Sequence, residues 1–215
     1  MTPVPHVEPT ALAEMIEPAQ CALLVIDVQE DFASPEGAVA RAGADMSGVA
    51  PALDKIEALI DAARRAGASV AFARVVTTAE SDSEALKLLH ARKGEPPEAL
   101  ALCREGQPGA AYHRVAPRPG DIEVEKRLYN AFHGTSLEVD LRMRGVETLV
   151  VAGFATHCCV DATSRDAFHR GFNVFVVSDA TDSYSADAHW STLRALRASC
   201  ALIVGTQAVL SAWRG

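Results

Sequence analysis

Short Val-, Ile- and Leu-rich runs alternate with helical patterns along most of this chain, and that alternation constrains the fold more than any other feature. The runs "CALLVIDV" (21–28), "ASVAFARVV" (68–76), "DIEVEK" (121–126), "VETLVVAG" (146–153), "FNVFVVSDA" (172–180) and "CALIVG" (200–205) read as strands. Continuous apolar runs of this length suit strands covered on both faces, as in a parallel sheet. Between them, "PALDKIEALIDAARRAG" (51–67) sets Leu53, Ile56, Leu59, Ile60 and Ala63 on one helical face. Pro51 suits its first turn and Gly67 its end. Further helices are predicted over 134–145, with Thr135 or Ser136 as cap and Gly145 as stop, and over 156–171, 187–199 and 206–213. This order predicts an α/β fold with three α-β-α layers and a six-stranded, mainly parallel sheet.

The 215 residues fit one domain with a substantial core. We place it at 21–215, behind an N-terminal extension at 1–20. Residues 77–120 break the pattern with a short helix and Pro- and Gly-rich loop, and a connection this long is usually functional or mobile. They form a variable region near the predicted site.

The 49% hydrophobic content excludes a disordered chain. The net charge of −8, without a Lys/Arg cluster, disfavours nucleic-acid and acidic-membrane partners. A small-molecule ligand or a protein partner is the better expectation. The opening "MTPVPHVEPTALAEMIEPAQ" lacks the basic and apolar segments of a signal peptide, and no apolar run reaches membrane-spanning length. The five cysteines, two of them adjacent, do not form a disulfide framework or a C-x-x-C site. A cytoplasmic protein with reduced thiols is expected. G-x-G-x-x-G, P-loop and G-x-S-x-G motifs are absent.

In open α/β sheets the ligand site lies at the carboxyl ends of the strands. Strand one ends in "IDVQEDF", strand three in "EKRLYNAF", and strand four runs into "GFATHCCV". Asp27, Lys126 and the Cys158–Cys159 pair therefore converge on one edge. Asp27 or Lys126 alone could be a stabilising or solvated charge, and a free Cys is commonly a small buried hydrophobe. A Cys in the first turn of a helix differs, because the unpaired N–H groups and helix dipole lower its pKa. Carboxylate, ammonium and thiol together supply what acyl transfer needs.

These segments, with "PGDIEVEKRLYNAFHGTSLEVDLRMRGVETLVVAGFATHCCVDATSRDAFHRGFNVFVVSDA" and "AHWSTLRAL", resemble the isochorismatase-like cysteine hydrolases, a family of nicotinamidases and of N-carbamoylsarcosine, biuret and ureidoacrylate amidohydrolases. The resemblance covers nearly the whole chain outside the N-terminal tail and 77–112. It implies that Asp27 is the general base, Lys126 the catalytic lysine and Cys159 the nucleophile, with Cys158 packed behind it. It implies a cis Phe154–Ala155 peptide and an oxyanion hole from the Ala155 and Cys159 amides. We place Phe32, Tyr129, Asn130 and Phe132 in the substrate pocket, with residues from 77–112 and 179–190 setting specificity. "CREGQPGAAY" (103–112) points toward the ureidoacrylate and biuret branch. The nicotinamidase D-x-H metal motif is replaced by "RVVTTAES", so neither metal nor other cofactor is expected. The family expectation is a homodimer or homotetramer. Two rival readings are a vinyl-ether hydrolase of the isochorismatase type and a non-catalytic binding protein.

Overall fold

The computed structural model describes residues 9–214; the first eight residues of the predicted extension, and Gly215, lie outside the described residues. Six strands, β1 (Cys21–Ile26), β2 (Ser69–Val75), β3 (Ile122–Lys126), β4 (Thr148–Phe154), β5 (Asn173–Asp182) and β6 (Leu202–Val204), form one sheet in the order β3-β2-β1-β4-β5-β6. Every pairing in it is parallel. The sheet is thus wholly rather than mainly parallel, because each strand-to-strand connection is long enough to cross back over a face.

The helices are α1 (Pro9–Met15), α2 (Glu30–Ala33), α3 (Ala38–Arg41), α4 (Val49–Ala66), α5 (Glu84–Arg92), α6 (Leu137–Met143), α7 (Asp161–His169), α8 (Ala186–Ser199) and α9 (Thr206–Ala212). Alternation along β1 sorts the core into two layers. Cys21, Leu23 and Val25 pack with Leu53, Ile56 and Leu59 of α4 and with Val209 of α9. Ala22, Leu24 and Ile26 face the opposite layer, with Leu137 and Leu141 of α6, Ala167 of α7 and Leu193 and Leu196 of α8. The segment before β1 packs on this body through Leu12 and Ile16, which are fully buried, and Trp213 Nε1 donates to the Ile16 carbonyl at 3.0 Å. Among the described residues no helix is long and apolar enough to cross a membrane.

Strand order reverses between β1 and β4, the switch point at which such sheets open a crevice. There β5 bulges, its pairing with β4 jumping from Val151–Val176 to Gly153–Thr181. On the other side, Gly153 lets β4 run close against β1. Its φ is +121°, and a Cβ would stand 2.0 Å from the Ile26 carbonyl oxygen. Neither the torsion nor the backbone approach tolerates a side chain. Gly153→Ala should lose about 3 kcal/mol of stability, the cost of overpacking against backbone, read as a lower midpoint in urea denaturation. An unchanged midpoint would contradict the close approach.

Candidate active site

The site assembles from the ends of three strands. β1 stops at Ile26, and Asp27 takes φ of 52°, a left-handed torsion that Asp adopts more readily than most residues. Its N–H donates to the Ala73 carbonyl of β2 at 2.8 Å, which fixes the side chain at the sheet edge. Lys126 is the last residue of β3, two strands away, or about 10 Å at ordinary strand spacing. Its long stem spans β2, and Nζ reaches Asp27 Oδ2 at 2.6 Å with side-chain exposures of 0% and 1%. Nζ donates also to the Leu128 carbonyl at 2.9 Å. Asp27 Oδ1 has no well-formed hydrogen bond.

β4 delivers the thiols. After the cis Phe154–Ala155 peptide, a wide π turn, Thr156–Val160, precedes α7. Cys159 is buried in this turn and Cys158 half-buried. Two contacts clamp it: Thr156 Oγ1 and His189 Nδ1 lie 2.9 Å apart, and the His157 N–H donates to Ser183 Oγ at 3.0 Å. Burial holds the His189 imidazole below its ordinary pKa, which suits a neutral ring bonded on both sides.

Burial pushes the Asp27 carboxyl up, against the opposing pull of Lys126 and of the Cys159 thiol beside it. Cys159 is also raised, by its hydrogen bond to Cys158, then by burial and the Asp27 carboxylate, with Lys126 alone pulling it down. This corrects the expectation of a lowered Cys159 pKa. The thiol is hydrogen-bonded to Cys158 and buried beside a carboxylate, and each of these raises it.

These groups open onto a cavity of about 280 Å³ whose walls include Ala155, Cys158 and Cys159. Phe32 and Tyr129 line it as expected. Asn130 and Phe132 do not. The chain turns away after Tyr129, so the Asn130 amide donates to Asp166 Oδ2 at 2.6 Å. Phe132 is buried against Phe172, their rings 5.8 Å apart. Sequence reasoning did not single out Leu86, Leu100, Leu102, Arg127, His157 or Tyr184, which also line the cavity. Tyr184 and His157 follow β5 and β4, so the strand-end rule contained their signal. The leucines come from 77–112, where periodicity is lost.

Gln29 and Asp31 of the same "IDVQEDF" segment hold that region in place. Gln29 is fully buried and bonds the Val75 carbonyl at 2.7 Å, the Ala110 carbonyl at 2.9 Å and the Val75 N–H at 2.8 Å. Asp31 accepts from the Cys103 N–H at 2.7 Å.

An isochorismatase domain profile matches residues 21–208. This chain belongs to the isochorismatase family. Among its relatives, the ureidoacrylate amidohydrolase RutB of Methylobacterium radiotolerans is 38% identical over 186 residues, spanning 81% of this chain and 70% of that protein. RutB of Stutzerimonas stutzeri is 36% identical over 191 residues, spanning 81% and 76%. Among solved structures, a cysteine hydrolase from Pseudomonas syringae pv. phaseolicola matches with TM-score 0.82 at 26% identity, covering 93% of this chain and 95% of its own. Nicotinamidase PncA from Bacillus subtilis matches with TM-score 0.70 at 27% identity, covering 86% and 99%.

In this family member the buried ion pair has a direct stability consequence. Lys126→Met strands the Asp27 carboxylate in the interior, and breaking a buried pair from one side costs about 3–5 kcal/mol. The Asp27 pKa then rises further above its unfolded value. A raised carboxyl pKa means that stability falls as pH climbs from the unfolded toward the folded value. The variant's deficit, measured by urea denaturation, should therefore be smallest in acid and grow toward neutrality. A deficit independent of pH would contradict the pairing.

Proposed function

We propose that this isochorismatase-family hydrolase cleaves the C–N bond of a small amide, ureido or carbamoyl compound through a thioester on Cys159. One observation carries the reading: Cys159 stands in the cavity wall beside a carboxyl that is itself tied to a buried ammonium at 2.6 Å. The amidohydrolase relatives support the same chemistry.

In the first step the Asp27 carboxylate takes the Cys159 proton as sulfur attacks the substrate carbonyl carbon. The N–H groups of Ala155 and Cys159 receive the developing oxyanion, a contribution of about 3–4 kcal/mol where such donors have been removed elsewhere. The tetrahedral intermediate collapses, the C–N bond breaks, and the proton passes from Asp27 to the leaving nitrogen, which departs as ammonia or an amine. A water then gives a proton to Asp27 and attacks the thioester. Collapse releases the acid and returns the proton to Cys159. Lys126 holds Asp27 in place throughout and offsets negative charge as the proton moves. This scheme draws on no metal or cofactor. A vinyl-ether hydrolysis would leave Cys159 without a task.

Cys159→Ala should lower kcat/KM for ammonia release at least about a thousandfold, as loss of a nucleophile does. Cys158→Ala should stay within about tenfold of the unaltered protein. Equal losses would contradict the assignment of roles within the pair. The active form requires ionised Asp27, so kcat/KM should rise with pH through its carboxyl. Burial raises that pKa, so the acid limb should lie above the ordinary Asp value of about 3.9. An acid limb at that ordinary value would contradict a buried Asp27 base.

A further inference from the structure

The cavity walls carry information about the part of the substrate that does not react. Phe32, Val39, Leu86, Leu100, Leu102 and Leu128 contribute apolar surface. Several polar side chains lining the same space are already committed to the protein. Thr77 Oγ1 donates to the Leu102 carbonyl at 2.7 Å. Both Asp82 carboxylate oxygens are taken by the Arg104 guanidinium, at 2.9 and 2.6 Å. The Tyr184 hydroxyl donates to the Phe32 carbonyl at 2.9 Å. His90 Nδ1 lies 2.6 Å from Glu95 Oε2 but makes no well-formed hydrogen bond, so it is the exception among them.

Among the described residues that line the cavity, Arg127 is the one Arg or Lys. Its Nη1 donates to the Val76 carbonyl at 2.7 Å, and the residue is exposed at the rim. A substrate carboxylate held deep among the leucines would meet no lysine or arginine there, and an unpaired charge in such surroundings is costly. The volume of about 280 Å³ lies at the lower end of small-molecule sites.

We propose that the site selects small neutral amides with an apolar acyl chain over ureido acids that carry a carboxylate. The Cys159 end recognises the carboxamide. The leucine-lined end, built from α5 and the segment after it, buries the chain. This rests on the amidohydrolase reading above and narrows its substrate class.

The test is ammonia release by the purified full chain with acetamide, butyramide, hexanamide and 3-ureidopropionate. Each methylene added between acetamide and hexanamide should raise kcat/KM about fourfold, the equivalent of about 0.8 kcal/mol per buried CH2. Hexanamide should exceed 3-ureidopropionate at least tenfold. Leu100→Asn should lower kcat/KM about tenfold for hexanamide and less than twofold for acetamide, a split that a general loss of structure would not give. A flat amide series, a preference for the ureido acid, or equal losses with both amides in Leu100→Asn would overturn the proposal. No ammonia from any compound, with native circular dichroism, would instead overturn the amidohydrolase reading itself, and this proposal with it.

Discussion

The salt bridge between Lys126 and Asp27 is the constraint on which the rest of the structure depends. Both side chains are buried, and taking two charges out of water is repaid only if their geometry is held closely. The parallel sheet does that. Val75 pairs with Lys126 and Ala73 with Ile26, so β2 lies as a spacer between the two charged strand ends. A lysine is long enough to cross it, and a left-handed Asp27 is turned to meet it. The ammonium also satisfies the Leu128 carbonyl. One side chain thereby ties the site's floor to the loop that carries Tyr129. Asp27 has a second oxygen without a well-formed partner, which leaves it capacity for the proton transfer proposed for Cys159.

The "IDVQEDF" segment divides its labour by residue. Asp27 faces the thiol. Gln29 and Asp31 bond backbone groups of the region that roofs the cavity. Gly109 is part of the same arrangement, since a Cβ there would stand 2.2 Å from Asp31 Oδ2. The chemistry at the floor and the apolar roof are thus joined through one short stretch after β1. The roof's own polar side chains, Asp82, Arg104 and Thr77, bond one another and the backbone. That leaves leucines to face inward.

The sheet was legible in the sequence because its central strands are apolar on both faces. "CALLVI" is buried at all six positions, and such a run has few other stable placements. Asp27, Lys126 and the Cys158–Cys159 pair were legible for a related reason: polar residues at the ends of buried strands lie at the carboxyl edge, while the choice of Cys159 within the pair came from the family resemblance. Asn130 and Phe132 were misplaced because strand-end reasoning gives no direction to a chain once it leaves the strand. Phe132 turns back into the core, and Asn130 pairs with Asp166 on α7. The roof was illegible in detail. Its 3-10 turn at Pro108–Ala110 is tied to the distant Gln29, and no local period announces it or the turn at Pro97–Leu100. The raised Cys159 pKa was hidden likewise, since it comes from the hydrogen bond to Cys158, from burial and from Asp27.

The central claim is that Cys159 carries the acyl group during turnover. Acid quenching during steady-state hydrolysis of hexanamide, followed by peptide mass spectrometry, tests it directly. The account predicts a hexanoyl mass increment on the peptide containing Cys158 and Cys159. It should be retained in Cys158→Ala and absent in Cys159→Ala. An adduct that persists in Cys159→Ala, or turnover with no adduct under conditions where thioester hydrolysis limits the rate, would contradict it.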